Sequence, residues 1–565
     1  FVCRDRESAA AYEWLKQNSD ATDLSVHVYG SNFKGFLVSS GAKFNEDGEF
    51  YFGYGVDSEG ECMYFGGNSS VVPESDFLDG CNIRLNYCDK GVKLQNDTFS
   101  MLPIFYFFSD NIFAASDSIY ALSALRRVLE LDNTPHFSSI VGRSWINAIT
   151  AQPLSSNTMI SEIQFCGVGN AIRVIFDDYN NNLEVTKLFL DPFSQYKAEG
   201  FNYIEKLRHG AEEICRFLKT ILSIEDTKAV ISLSGGLDSR TALAGLMHVR
   251  TAGQQFFVGS NSSIELDYEI AQSVTQFLDL PLNQKLSGSK VLYNDQLSSW
   301  FISCAGAYDP LYAPRARHIN QTIFRISGHG AELYKGNYGW RKISDIGKQL
   351  SDTVRAHFIK ECQKGLNDIG VCQDHYFGSE WHYVGYRNSI HGGRSVMNNL
   401  LGVRPLMNRT LLSISYNDAN PFSAPKKNKY SIVSELLILL YHQLATLPFD
   451  DRRKNIDRSL VNTRRHILGD LPAIEPYNVI GSPHKIALTS PSFFNNIARE
   501  GGADGDIQSG KLHELVLSGG EKIPAAVSSF YESILSEAVE ITRHPTKMTT
   551  RDAIKVGKIL SFNIY

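Results

Sequence analysis

One stretch decides the fold of the second half of this chain: Ala229-Val-Ile-Ser-Leu-Ser-Gly-Gly-Leu-Asp-Ser-Arg240. An apolar run typical of a buried strand ends at Leu233, two adjacent glycines follow, and a helix is predicted to begin near Ser239. Glycines permit positive φ and leave backbone N–H groups accessible, and a helix N-terminus attracts negative charge. The stretch therefore predicts a strand, an anion-binding turn and a helix, in that order.

The side chains of this turn also suit a phosphate ligand. Ser234 and Ser239 offer hydroxyl donors, whereas the carboxylate of Asp238 would repel a phosphate unless a cation bridges the two. Mg²⁺, which prefers oxygen ligands, is the cation predicted here. The chain has no GxxxxGK[ST] motif, so the turn is not a Walker-type loop. The alternative interpretation is a tight strand–helix turn that binds nothing.

The sequence on either side of the turn alternates between strand and helix patterns. The predicted elements, in chain order, are a strand over Lys228–Leu233, a helix over Ser239–His248, a strand over Gln254–Gly259, a helix over Leu266–Leu278 and a strand over Thr322–Ser327. Such alternation is typical of a parallel sheet with crossover helices. An amphipathic helix is predicted to precede the first strand, and residues from about 340 to 565 are predicted to be mostly helical.

Residues 1–195 follow a different pattern. Short apolar and aromatic runs such as "GEFYFGYGVDSEG" and "AIRVIFDDYNNN" alternate with turn residues, which is typical of antiparallel strands in a sandwich. One helix is predicted over 117–130. The polar stretch at 191–200 marks the predicted boundary between a domain of residues 1–195 and a domain of residues 196–565, and the expected fold class is α/β.

Composition and charge exclude several classes of protein. Of the 565 residues, 43% are apolar and 21% charged, as in ordinary globular proteins. The net charge of −6 argues against a protein whose main task is to bind nucleic acid, and no stretch approaches the ~20 apolar residues of a membrane span. Nine cysteines without a CxxC pair indicate neither a disulfide framework nor a zinc ribbon. We therefore expect a cytoplasmic protein without nucleic-acid or membrane partners, and a homodimer stays open.

Several motifs in the second half resemble one family. Ser234-Gly-Gly-Leu-Asp-Ser239 resembles the pyrophosphate loop of ATP pyrophosphatases, in particular the asparagine synthetase-like family. Ser327-Gly-His-Gly-Ala-Glu-Leu-Tyr-Lys-Gly-Asn-Tyr338 is similar to the family's Ser-Gly-Glu-Gly-Ala-Asp-Glu-Leu-Phe-Gly-Gly-Tyr segment, and Phe256-Phe-Val-Gly259 to its second nucleotide-side strand. Arg404-Pro-Leu-Met-Asn408 is a weaker match. The resemblance covers roughly residues 200–455.

The first half resembles the amidotransferase half of the same family. The matching segments are Asp97-Thr-Phe-Ser-Met-Leu-Pro-Ile-Phe-Tyr106 and Ala115-Ser-Asp-Ser-Ile-Tyr-Ala-Leu122. The resemblance implies an Ntn-hydrolase-like αββα sandwich for residues 1–195. For residues 196–565 it implies a parallel-sheet pyrophosphate-loop domain, like that of the adenine nucleotide α-hydrolases, with a helical extension.

The glutaminase machinery of that family is not evident in the sequence. The activity needs an N-terminal cysteine whose own α-amine serves as base, whereas Cys3 follows Phe1 and Val2 and no Asn-Gly-Glu substrate loop occurs. We expect a degenerate glutaminase fold that supplies no ammonia. The resemblance is then nearer to β-lactam synthetase and the lasso peptide cyclases, relatives that use an amine of their own substrate.

The resemblance implies an amide ligase. In this family a substrate carboxylate attacks the α-phosphorus of ATP, pyrophosphate leaves, and an amine displaces AMP from the acyl-adenylate. The expected cofactors are ATP and Mg²⁺, and the expected substrates are a small-molecule or peptide carboxylate and an amine. Three alternatives stay open: an ammonia- or glutamine-dependent amidotransferase acting on a small-molecule or sugar acid, an enzyme that adenylates tRNA bases or sulfur acceptors, and a non-catalytic nucleotide-binding homologue. The net charge and the lack of paired cysteines weigh against the second of these.

The same resemblance assigns roles to individual residues. The residues that it assigns to ATP and pyrophosphate binding are Leu233, Ser234, Gly235, Gly236, Asp238, Ser239, Val258, Gly259, Ser327 and Gly328. It assigns Mg²⁺ binding to Asp238 and to Glu332, and the family has aspartate at the position of Glu332. A carboxylate that accepts from backbone N–H groups at a helix start is the alternative for Glu332. The aromatic and basic segment Trp381–Arg394 is expected to be either a substrate wall or a core helix.

Two further residues are predicted to be catalytic. Lys454 falls near the family's oxyanion-stabilising lysine, with a spacing two residues short, and a fixed ammonium there would neutralise negative charge. Its alternative is an ordinary solvated basic run. His329 replaces an acidic residue of the family and could act as a base. Its alternative is a histidine packed at a helix start.

Overall fold

The fold is described from a computed structural model of the chain. The residues it describes are 2–4, 8–19, 24–29, 32–39, 42–66, 72–88, 91–180, 182–191, 202–251, 254, 256–284, 289–291, 295–311, 317–319, 322–393, 401–417, 420–422, 430–484, 495–544 and 548–565. The domain boundary predicted near residue 195 lies outside these ranges. The described chain is a mixed α/β structure with both parallel and antiparallel strand pairs.

The strands are β1 Val2–Arg4, β2 Leu24–Tyr29, β3 Phe33–Val38, β4 Phe50–Asp57, β5 Cys62–Phe65, β6 Asp79–Cys88, β7 Gly91–Asn96, β8 Ile104–Ser109, β9 Ile112–Ser116, β10 Gln164–Cys166, β11 Asn170–Asp177, β12 Asn182–Phe189, β13 Thr227–Ser232, β14 Phe256–Gly259, β15 Ser289–Val291, β16 Arg317–Ile319, β17 Thr322–Ile326, β18 Leu401–Val403 and β19 Asn478–Gly481.

The α-helices are α1 Ser8–Gln17, α2 Ile119–Val128, α3 Phe137–Gly142, α4 Tyr203–Ser223, α5 Leu237–Val249, α6 Glu265–Phe277, α7 Gln296–Cys304, α8 Asp352–Asp368, α9 Gly378–His382, α10 Ser389–Gly393, α11 Arg409–Ser415, α12 Ile432–Ala445, α13 Arg458–Leu468, α14 Asn495–Glu500, α15 Lys511–Glu521, α16 Glu532–Arg543 and α17 Thr550–Leu560. No helix within the described ranges is both long enough and apolar enough to cross a bilayer.

The strands of the first half form two sheets that face each other. One has the order β10-β8-β9-β1-β3-β2 and the other the order β12-β11-β7-β6-β4-β5-β19. Side chains from both sheets, such as Phe33, Leu94 and Val174, meet in a shared core, because alternate residues of a strand point to the same face. The antiparallel strands predicted for this half are therefore present.

Helices cover the outer faces of both sheets. The first sheet packs against α1 and α2, where Phe107 of β8 shares a core with Leu122 and Leu125 of α2. The second sheet packs against α4, where the rings of Tyr54 and Phe217 lie 6.1 Å apart. Residues 1–195 thus supply a helix layer and two sheets, whereas the helix on the outer face of the second sheet, α4, comes from residues 196–565.

The second half contains a four-stranded parallel sheet with the order β14-β13-β17-β18. The three predicted strands are confirmed as β13, β14 and β17, within two residues at each end, while the three-residue β18 was not predicted. The chain leaves β13 for β14 on one side and returns to β17 on the other. The carboxyl end of β13 is therefore the topological switch point, where open α/β sheets bind ligands.

Backbone hydrogen bonds also join the two halves. β19 pairs in parallel with β5, so a strand from the predicted helical region extends a sheet of the first half. The described part of residues 340–565 is thus mostly helical but contributes two short strands, β18 and β19. Strands of three or four residues carry little periodic signal and gain their hydrogen bonds from distant partners.

Candidate functional site

The turn after β13 is held by its own hydroxyl groups. The Ser239 Oγ accepts a hydrogen bond of 3.0 Å from the Ser234 N–H, and the Ser234 Oγ accepts one of 3.3 Å from the Gly236 N–H. Helix α5 begins at Leu237 with Gly236 as its N-cap, two residues earlier than predicted. Asp238 and Ser239 therefore lie in the first helical turn, where backbone N–H groups lack helical partners.

Two glycines permit close packing around this turn. A Cβ on Gly328 would lie 2.4 Å from the Ser239 nitrogen, and a Cβ on Gly235 would lie 2.8 Å from the Asp450 Cβ. A larger residue at 328 would force the loops after β13 and β17 apart, and one at 235 would push away the loop that carries Asp450. Glycine at these positions lets the loop after β17 and the loop that carries Asp450 contact the Ser234–Ser239 turn directly.

The predicted nucleotide-binding residues lie together at the carboxyl edge of the parallel sheet. The Leu233 N–H donates to the Gly259 carbonyl at 2.8 Å, and the Ser327 N–H donates to the Val403 carbonyl at 3.2 Å. Val258 lies opposite Ile231 in the β13–β14 pair. The members of this group are Leu233, Ser234, Gly235, Gly236, Asp238, Ser239, Val258, Gly259, Ser327 and Gly328.

The turn already binds one negatively charged group. The Gly235 N–H donates to a carboxylate oxygen of Asp267, in the first turn of α6, at 3.1 Å. A carboxylate oxygen and a phosphate oxygen are the same kind of acceptor for a backbone amide. The geometry of the turn therefore fits an anionic ligand, which is what a bound triphosphate would require.

A lysine that the sequence analysis did not single out lies against the predicted metal ligand. The Lys335 Nζ lies 2.7 and 2.6 Å from the two carboxylate oxygens of Asp238, and the side chains are 31% and 25% exposed. Burial raises the pKa of Asp238, Lys335 lowers it and Glu332 raises it again. Burial also opposes the charge of Lys335, yet the neighbouring carboxylates outweigh it and raise its pKa.

Lys454 approaches the same turn from the other side. Its Nζ lies 2.7 Å from the Asp450 Oδ1, and the Asp450 N–H donates to the Gly235 carbonyl at 3.0 Å. The Lys454 side chain is 21% exposed, whereas Arg453 is 65% exposed and pairs with Asp451. The interpretation as a solvated basic run therefore applies to Arg453. Lys454, in contrast, lies close enough to Asp238 for its charge to lower the pKa of that carboxylate.

These side chains form one group of alternating charge, here named the loop cluster. The side chain of each of its five members is between one fifth and one third exposed, so the cluster is in contact with solvent. It contains three carboxylates and two ammonium groups, and either charge can meet a ligand. Its members are Asp238, Glu332, Lys335, Asp450 and Lys454.

The predicted metal ligands are near each other but are already engaged. Glu332 belongs to a 3₁₀ turn over Ala331–Tyr334 and accepts from the Gly330 N–H at 3.0 Å, as its alternative interpretation expected. Within the described ranges, no three His, Cys, Asp or Glu side chains are grouped so as to hold a metal. Asp238 and Glu332 offer the oxygen chemistry that Mg²⁺ prefers, but in this structure Lys335 occupies both oxygens of Asp238.

His329 is less suited to act as a base than its place in the motif suggests. Its side chain is 13% exposed, and burial, with contributions from Arg404 and Arg387, lowers its pKa to about 3. Such an imidazole is neutral near pH 7 and accepts a proton weakly. The structure thus favours the packed histidine over the catalytic base.

The aromatic and basic segment that begins at Trp381 lies near the loop cluster, since the charge of Glu332 acts on Tyr383. It includes a π-helix over Tyr383–Asn388, a geometry frequent at functional sites. Arg387 lies 5.0 Å from the centre of the Tyr308 ring and donates to Gln152 at 3.3 Å. Most side chains of the segment are buried, as the core-helix interpretation expected, and Arg394 lies outside the described residues.

Lys335 and Asp450 are neighbours of the turn that the sequence analysis did not single out. Lys335 stands inside the quoted 327–338 segment, where the family has phenylalanine, and that departure was the available signal. Asp450 carries no comparable signal, because its contact with Gly235 depends on how distant loops pack. The sequence matches no protein-family model, and no curated protein matches it either.

Proposed function

We propose that this chain is an ATP-dependent ligase that forms an amide bond and releases AMP and pyrophosphate. The observation that carries the proposal is the Ser234–Ser239 turn, placed at the switch point of a parallel sheet and flanked by the loop cluster. The amides of the turn and of the helix start, two hydroxyl groups and two lysines lie together there, which suits a triphosphate. The proposed fold is a pyrophosphate-loop domain for residues 196–565 and an Ntn-hydrolase-like sandwich for residues 1–195.

In this proposal each part of the site has a distinct task. The turn binds the phosphates through backbone amides and the hydroxyls of Ser234 and Ser239. Mg²⁺, held by Asp238 and Glu332, would neutralise phosphate charge. Lys454 stabilises the negative charge that develops as pyrophosphate leaves and as the amine adds. The backbone at the ends of β13, β14 and β17 receives the adenosine.

The substrates are proposed by class alone. A small-molecule or peptide carboxylate would enter between the loop cluster and the wall formed by Tyr338, Tyr383 and Arg387, where the two tyrosine rings lie 5.2 Å apart. The amine would come from a substrate and not from glutamine. The proposed setting is the cytoplasm, without nucleic-acid or membrane partners, and a homodimer stays open.

One observation favours a second candidate function, a nucleotide-binding protein without catalysis. Lys335 occupies both oxygens of Asp238, and His329 and Leu333 replace acidic residues of the family. A chain with these changes could keep the phosphate site and lose the chemistry. ATP binding without turnover would separate this candidate from the ligase.

The proposed function is tested by exchange of labelled pyrophosphate into ATP over a panel of carboxylates. We expect exchange with the wild type and its loss with Asp238→Asn. Asp345→Asn is the matched control, because Asp345 also pairs with a lysine, Lys348 at 2.9 Å, away from the turn. Failure of the wild type to bind ATP would refute both candidates, and detectable hydrolysis of glutamine would refute our view of the first half.

A further inference from the structure

Lys335 takes the place that a cation would take in the loop cluster. Its ammonium lies within 2.7 Å of both Asp238 oxygens, and the charges of Glu332 and Asp450 act on it as well. The neighbouring carboxylates of Asp238 and Glu332 repel each other unless a positive charge lies close to them. Lys335 supplies that charge from within the chain.

The backbone on both sides of Lys335 is held by hydrogen bonds, whereas its side chain is held through its terminal ammonium alone and is partly exposed. The Tyr334 hydroxyl donates to the carbonyls of Leu406 and Asn408 at 2.6 and 3.1 Å, and the Asn337 N–H donates to Glu380 at 3.0 Å. The Lys335 side chain is nearly one third exposed. A long, flexible ammonium on a fixed backbone can change partners through rotamer changes alone.

We propose that Lys335 exchanges partners when a nucleotide binds: it holds Asp238 while the turn is free of phosphate, and moves to the phosphate oxygens as Mg²⁺ takes its place on Asp238. This inference rests on the proposed function, because it assumes that phosphate and Mg²⁺ meet at this turn. Each positive charge keeps a negative partner throughout the exchange, so no carboxylate of the cluster is left without a counter-charge.

The exchange couples metal binding to phosphate binding. Without phosphate, Mg²⁺ must displace Lys335 from Asp238 and leave the ammonium with a poorer partner. With phosphate present, the displaced ammonium gains a new anionic partner. Mg²⁺ and phosphate therefore strengthen each other's binding, and by thermodynamic linkage the effect is the same in both directions.

The experiment measures binding of Mg²⁺ and of inorganic pyrophosphate to the full chain by titration calorimetry. For the wild type we expect weak binding of Mg²⁺ alone and at least about tenfold tighter binding when pyrophosphate is present. For Lys335→Met we expect Mg²⁺ alone to bind about tenfold more tightly than to the wild type, and the coupling to fall below about threefold. Lys335→Arg, which keeps the charge, is expected to retain most of the coupling.

Lys348→Met is the matched control, since Lys348 also pairs with an aspartate but is 67% exposed and belongs to a different ion pair. Its affinity for Mg²⁺ and the coupling between Mg²⁺ and pyrophosphate should equal those of the wild type. Equal Mg²⁺ affinity and equal coupling in Lys335→Met and the wild type would overturn the inference alone. Absence of pyrophosphate binding in the wild type would overturn the proposed function and this inference together.

Discussion

Two groups of charged side chains in this protein differ in their exposure to water. The loop cluster consists of pairs that are between one fifth and one third exposed. The second group, here named the buried triad, consists of Arg143, Asp309 and Lys558. Asp309 accepts from Arg143 at 2.8 Å and from Lys558 at 2.7 Å, and all three side chains are at most 2% exposed.

The difference shows which charges a ligand can use. In the buried triad every partner is internal, since Arg143 also donates to the Gly306 carbonyl and Lys558 to the Thr150 carbonyl. Removing one buried partner leaves a desolvated charge, which is costly. In the loop cluster water can replace a lost partner, so its ion pairs exchange at little cost. The triad therefore joins α17 to the first half, while the cluster remains available for chemistry.

The largest effect should follow from Asp309→Ala. Arg143 and Lys558 would then remain buried without a counter-charge, and we expect the free energy of unfolding to fall by about 3–5 kcal/mol. Urea denaturation followed by circular dichroism measures the loss. Asp345→Ala, which removes a carboxylate from an exposed pair, should leave the midpoint unchanged. Equal denaturation midpoints for the two variants would show that the buried triad stabilises the fold no more than an exposed ion pair does.

Lys454→Met should affect chemistry more than folding. We expect pyrophosphate exchange to fall by about 10²–10³-fold, the usual effect of losing one charge-stabilising donor, while ATP affinity and the denaturation midpoint change little. Arg453→Met is the neighbouring control and should exchange at the wild-type rate. Normal exchange in Lys454→Met would exclude this lysine from catalysis.

The buried triad also predicts a pH dependence of stability. Burial, opposed by Asp309, lowers the pKa of Lys558 from 10.5 to about 8. Between pH 8 and 10 the unfolded chain holds a proton on this lysine that the folded chain has released, so raising the pH favours the folded state. Relative to Lys558→Met, the wild type should gain up to about 1.4 kcal/mol per pH unit in this range. Denaturation of both proteins at several pH values tests this, and parallel curves would contradict it.

The smallest effect is expected at His329. Because its pKa lies near 3, the ring keeps the same charge from pH 5 to 8. The pH–rate profile of His329→Gln in pyrophosphate exchange should therefore have the same shape as that of the wild type. An inflection near pH 6–7 that disappears in the variant would show that His329 acts as the base after all.

The turn and its flanking strands could be predicted because their signals are local. An apolar run, two glycines and a helix start are adjacent in the chain, and β13 and α5 formed where they were expected. The pairing of Lys335 with Asp238 could not be predicted in the same way. It depends on the close approach of Gly328 to the first turn of α5, which is set by the packing of two loops.

The interpretations of the two predicted catalytic residues diverged for a similar reason. Lys454 and Arg453 are neighbours in one basic run, and their sequence environments are almost the same. In the structure one faces the turn and the other faces water, because a 3₁₀ turn over Arg452–Lys454 directs them differently. His329 was proposed as a base from its place in the motif, but burial and the nearby Arg404 and Arg387 lower its pKa.

By itself the sequence determined the strand–turn–helix at residues 229–240, the alternation that builds the parallel sheet and the antiparallel character of the first half. Each of these depends on patterns only a few residues long. Tertiary structure alone decided which charges face solvent and which are sealed inside, since Arg143, Asp309 and Lys558 meet only after distant segments have packed. Burial and the electrostatic environment are properties of the folded chain. They determine whether a group of charged side chains can meet a ligand or only holds the structure together.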